Sequence, residues 1–126
     1  MDVLEDAKAK GFIKAHGVSC HNFHALERVA EEPWCDAALI RINPFGVRMD
    51  GPVEKVVQVV KKIHGAGKGV LGMKILGEGD PEAVAKMDDS FRFIGELSAV
   101  DAMTIGFLGK GQLDEVMMRI NKVSEG

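Results

Sequence analysis

Four short apolar runs punctuate the chain, each closing on a glycine or a polar residue and each followed by an amphipathic stretch. The runs end near Gly17, Asn43, Lys74 and Gly106, a spacing of about 30 residues that matches one strand–helix unit of a parallel sheet. The pattern predicts strands over 12–16 (running out at Gly17-Val18-Ser19), 37–42, 70–74 and 100–105. The run Ala37 to Ile42 is nearly continuous, which suits a strand covered on both faces, and only Arg41 interrupts it. Between the runs the period lengthens to that of helices. Asp2 opens a helix over 2–10 and Gly11 stops it, while Asn22 caps another over 23–30 with Leu26 and Val29 inward. Pro52 fits the first position of a third helix. Its buried stripe is Val53, Val56, Val57, Val60 and Ile63, and Lys55, Lys61 and Lys62 face solvent. Pro81 starts a helical region that runs to Leu97 and breaks near Asp88-Asp89-Ser90. The closing helix covers 112–123, with Leu113, Val116, Met117 and Ile120 inward.

Strict alternation of strand and helix implies an α/β domain, residues 1–126, with parallel strands joined by right-handed crossovers. Four βα units are half of a TIM-type (βα)8 barrel. A half barrel would leave two bare strand edges and an open inner face holding Ile13, Ile40, Leu71 or Met103. Both features favour completion by a second copy, so a homodimer or larger assembly is expected.

Composition narrows the partners. Hydrophobic residues make up 46% of the 126 positions and charged residues 28%, with a net charge of −3. That balance is globular, and without a basic run there is no electrostatic footprint for nucleic acid. No apolar stretch approaches a membrane span. The start Met1-Asp2-Val3-Leu4-Glu5 does not read as a secretory signal. Cys20 and Cys35 form no Cys-x-x-Cys pattern and read as reduced structural thiols, so a cytoplasmic location is expected.

Chemistry gathers at the strand ends. The segment Gly106-Phe107-Leu108-Gly109-Lys110-Gly111 joins a strand to a helix, where backbone amides, the helix dipole and a lysine can hold an anion. The bland alternative is a tight turn with a solvated lysine. Lys74 closes an apolar strand and can serve a phosphate or a Schiff base, or else join a rim ion-pair cluster with Glu78 and Arg41. Cys20, His21 and His24 lack the converging set that zinc demands. His16 reads as a partnered interior histidine and His64 as a cation favoured at a helix C-terminus. Asp88 and Asp89 are adjacent, so on a helix they point apart and read as helix-start residues rather than an acid–base pair. Asp101 opens a strand at the end away from ligands and reads as structural.

The segments Gly17-Val18-Ser19-Cys20-His21, Asn43-Pro44, Gly72-Met73-Lys74-Ile75-Leu76-Gly77-Glu78-Gly79 and Thr104-Ile105-Gly106 resemble, in order, the fifth to eighth strands of the aldo/keto reductase barrel. The resemblance implies carbonyl reduction with a nicotinamide cofactor, usually NADP. The family's catalytic Asp, Tyr, Lys and His lie on the second to fourth strands, which nothing here matches, and the chain contains no tyrosine. No catalytic residue therefore carries over. The cofactor residues carry over in part. Ser19 matches the serine that bonds the nicotinamide carboxamide, although its companion asparagine is Cys20 here and the amide-holding glutamine is Leu39. Met73 matches the residue packed on the nicotinamide ring, and Lys74 follows it. Gly106, Gln112 and Glu115 match the phosphate and adenine segment, in which Gly109 replaces a frequent serine, Val116 replaces an asparagine, and Lys110 supplies charge.

Three readings follow. The first is a reductase-like half barrel with a partial NADP site and no chemistry of its own. The second is a non-catalytic, self-associating module with a vestigial nucleotide site. The third is an enzyme assembled from halves, with Lys74, His16 or His21 replacing the missing group, and the absent tyrosine weighs against it.

Overall fold

The computed structural model describes residues 2–126. Its elements are α1 (Asp2–Ala9), β1 (Gly17–Ser19), α2 (Phe23–Val29), β2 (Ala37–Arg41), α3 (Val53–Gly65), β3 (Gly69–Met73), α4 (Pro81–Ala85), α5 (Met87–Leu97), β4 (Ala102–Met103) and α6 (Lys110–Glu125). The four strands form one all-parallel sheet in the order β1-β2-β3-β4. Each crossover advances by one strand in the same direction, and right-handed crossovers of that kind put the connecting helices on one face.

Burial agrees with that placement. On the helix-covered face Ala38, Ile40 and Val70 are fully buried, and they join Leu26, Val56, Val60, Ile63, Phe91 and Val116 in one core. The opposite face is only partly covered. Parallel register sets Ser19 beside Leu39, Leu39 beside Leu71, and Leu71 beside Ala102, a row across all four strands in which no residue is buried. β2 is thus covered on one face, not on both as its apolar run suggests. The phase is also settled: Ile40 and Met103 belong to the helix face and Leu71 to the open face.

The first strand begins later than its apolar residues indicate. α1 ends in a Schellman motif, with Phe12 N–H donating to Ala7 O at 2.9 Å, Gly11 N–H donating to Lys8 O at 3.0 Å, and Gly11 at φ +76°. This cap occupies residues that would otherwise extend the strand and leaves Phe12 79% exposed. Other boundaries shift less. Pro52 stands at the N-cap of α3, and the helical break falls at Lys86, before Asp88 and Asp89. Asp80 caps α4 by accepting from Glu82 N–H and Ala83 N–H. α6 starts at Lys110 and buries only Val116, while Leu113 and Met117 face outward.

The N-terminal ends of the strands are tied by a repeated aspartate clamp. Asp36, just before β2, donates its N–H to His16 O at 2.9 Å and accepts His16 N–H on Oδ2 at 3.1 Å. Asp101, just before β4, grips Val70 in the same two ways, at 2.8 and 2.7 Å. Lys68 adds a stitch, its ammonium donating to Glu32 O and Cys35 O. Among the described residues no helix is long and apolar enough to cross a membrane.

Candidate functional site

The C-terminal ends of β3 and β4 open into a cleft of about 840 Å³ between the loops that follow them and the first turns of α6. That volume lies in the range of small-molecule sites, about 300–1,000 Å³. Short, glycine-rich connections leave the space. A Cβ on Gly106, which lines the cleft, would meet no atom within 4 Å, so the space beside it is open. Gly109, the N-cap of α6, has extended backbone at φ −172°, which any residue adopts. Lacking a side chain, it leaves the first-turn amides of α6 without a cap. Gln112 reaches back to accept Leu108 N–H at 2.8 Å, which orders the entry to the helix.

Five of the eight residues singled out in the sequence line this cleft: Met73, Lys74, Gly106, Gln112 and Glu115. Leu76, Val84, Met87, Ile105 and Phe107 give it apolar walls. Gly109 and Lys110 lie beyond the lining, and Lys110 is ion-paired to Asp114 at 2.5 Å with most of its side chain in solvent. Glu115 is turned toward Arg119, which also holds Asp88 of α5 at 3.0 Å. Lys74 makes the rim ion pair with Glu78, at 3.1 Å. The Lys74 hydrogen bond and charge, followed by the charges of Arg48 and Arg41, hold the Glu78 carboxyl below the usual carboxylate range.

Asn43 braces the strand ends behind this mouth, a role the sequence does not announce. It is fully buried and uses every hydrogen-bonding site of its amide. Nδ2 donates to Val47 O at 2.7 Å and to Lys74 O at 3.1 Å, while Oδ1 accepts from Phe45 N–H at 3.0 Å and Val47 N–H at 3.2 Å. One side chain therefore fixes the loop after β2 and fastens it to the residue that ends β3.

Ser19 sits two strands away from the cleft, on the open face of β1. Its Oγ lies 3.2 Å from His21 Nε2, and Arg41 contacts His21 Nδ1. Arg41 also approaches Asp50 at 3.7 Å, and among the described residues Arg41 Nε and Asp50 Oδ2 have no hydrogen-bond partner. The Cys20 thiol is pushed up by burial, then by Cys35 and Asp50, which makes it a poor nucleophile. Cys35 donates to Ala37 O at 3.3 Å, and both thiols are free and buried. Among the described residues no three metal-ligating His, Cys, Asp or Glu side chains converge. His16 is buried and stacked on Trp34 with Glu5 at 3.2 Å, and His64 approaches Asp101 at 3.3 Å.

The residues fit the two ends of a dinucleotide unequally. The cleft offers apolar walls and Lys74, which suit a purine and a phosphate, and the uncapped start of α6 lies beyond its lining. At the other end Leu39 has no polar group, and Ser19 is engaged by His21. No protein-family model, curated protein or solved structure matches the chain.

Proposed function

We propose that this chain is an aldo/keto reductase-like half barrel that binds the adenosine-phosphate end of NADP and carries out no carbonyl reduction by itself. The observation that supports this best is the convergence of Met73, Lys74, Gly106, Gln112 and Glu115 on one cleft at the carboxyl ends of parallel strands, where α/β folds hold ligands. The base lies against Leu76, Ile105 and Phe107, and the phosphates lie toward Lys74 and the start of α6. Met73 and Ser19 face the nicotinamide, which is held weakly. Calorimetry tests the proposal: adenosine 2′,5′-bisphosphate binds about as tightly as NADP, and nicotinamide mononucleotide binds less well. Tighter binding of the mononucleotide would reject it.

The open sheet face supports a second, compatible reading, a self-associating module. The row Ser19, Leu39, Leu71 and Ala102 lacks a covering layer, and β1 and β4 each pair on one side only among the described residues. A homodimer would cover that face and complete an eight-stranded ring. Light scattering at micromolar concentration decides it, since a monomeric mass rules it out.

A further inference from the structure

Lys74, Glu78 and Arg48 share two unusual properties. They are three of the four non-glycine residues with positive φ among the described residues, at 58°, 60° and 58°. They also form one ion triad. Lys74 Nζ lies 3.1 Å and Arg48 Nε 3.6 Å from the same oxygen, Glu78 Oε2. Left-handed backbone at such residues is costly and persists only where the surroundings enforce it. Here the enforcement is visible. Gly77 N–H donates to Lys74 O at 2.9 Å, Gly79 N–H to Leu76 O at 3.2 Å, and Asp80 N–H to Gly77 O at 3.2 Å. Asn43 binds the loop of Arg48 to Lys74 O.

The two cations come from different loops and point at one place. Glu78 is the one acidic ion-pair partner of either cation among the described residues. Its side chain is half exposed and sits between Gly77 and Gly79, both also at positive φ, so it can turn into water without leaving a buried charge behind. Lys74 and Glu78 both line the cleft.

We propose that Glu78 is an internal anion, holding the Lys74–Arg48 pair until the phosphate or pyrophosphate of a ligand displaces it. The inference rests on the adenosine-phosphate reading of the cleft and adds its regulation. A carboxylate offers two oxygens and one charge. A diphosphate offers more of both, and charge-assisted bonds to it are correspondingly strong. The displaced carboxylate then repels the incoming anion from the rim, so ligand affinity stays below what the two cations alone would give.

Inorganic pyrophosphate is the probe, titrated by calorimetry into the wild-type chain, Glu78→Gln and Glu78→Asp. Glu78→Gln removes the competing charge and binds pyrophosphate about tenfold more tightly, the scale of one charge-assisted hydrogen bond. Adding Arg48→Ala to it abolishes the gain. Glu78→Asp keeps the charge in a residue that tolerates left-handed backbone and stays near wild type. Equal affinity in all three proteins, or no binding to Glu78→Gln, overturns the proposal. An equal gain in Gln and Asp overturns it too, because side-chain length rather than charge would then control access. Nucleotide binding in the wild type with no gain in Glu78→Gln removes the internal anion and keeps the nucleotide reading. A gain for pyrophosphate without any preference for adenosine bisphosphate does the reverse.

Discussion

The two halves of the sheet share one topology and end differently. At β3 and β4 the strand ends open into a cleft, whereas at β1 and β2 Arg41 reaches both His21 and Asp50 across the strand ends. The cause lies in the residues after each strand. Gly79 and Gly106 leave room in the cleft, while His21 after β1 meets Arg41 at the end of β2. The same βα unit thus builds an open cleft on one side and a polar cluster on the other, and the choice is made in a few positions at the strand ends.

The largest expected effect breaks the closed half. A Cβ on Gly17 would lie 1.8 Å from Ala37 O, so Gly17→Ala forces β1 away from β2. Overpacking of this severity costs about 3 kcal/mol, read as a lower urea midpoint. The next effect falls on the link between the halves. Asn43→Ala leaves buried loop carbonyls and amides unpaired and costs about 2 kcal/mol. It also weakens binding of adenosine 2′,5′-bisphosphate, because the Arg48 loop and Lys74 are no longer fastened together. Unfolding and calorimetry on the one variant check both.

A third test sharpens the open half alone. Lys74→Ala reduces affinity for adenosine 2′,5′-bisphosphate about tenfold, or roughly 1.4 kcal/mol, while Lys110→Ala changes it less than about twofold, since an exposed pair such as Lys110–Asp114 contributes little. Reversal of that order would return the phosphate to the Gly109–Gly111 turn. The smallest effect is a pH dependence at the other end of the sheet. The Lys8 hydrogen bond, then the His16 amide, holds the Asp36 carboxyl below its ordinary value. A depressed carboxylate stabilises the fold at and above its unfolded pKa and loses that contribution as pH falls through the folded pKa. Acid should therefore lower the hydrogen-exchange protection factor of the His16 amide, and Asp36→Asn should flatten that profile.

Much of the architecture was legible in the chain because periodicity reports burial directly. Val56, Val60 and Ile63 lie on the buried stripe of α3, and Asn22 caps α2 through Oδ1. The errors share one source. Phe12 and Ile13 look like strand residues, but capping of α1 takes them. Leu113 and Met117 look like core, yet the sheet below α6 ends in a two-residue strand and gives them nothing to cover. Of the site, Met73, Lys74, Gly106, Gln112 and Glu115 were marked by strand-end position and by resemblance. Arg48 and the fourfold role of Asn43 depend on how two loops meet in space, and no local pattern encodes that. Glu78 appeared only as a rim partner, because its second cation is 30 positions away.

The aspartate clamps at Asp36 and Asp101 lie at the opposite end of the strands from the cleft. Strand register is therefore set at the end of the sheet away from the loops that line the cleft. Loop exchange becomes a modular operation: residues 77–80 or 106–109 can be replaced by segments of other lengths without sliding one strand past another. A scaffold of this kind can change what it holds while keeping how it is paired.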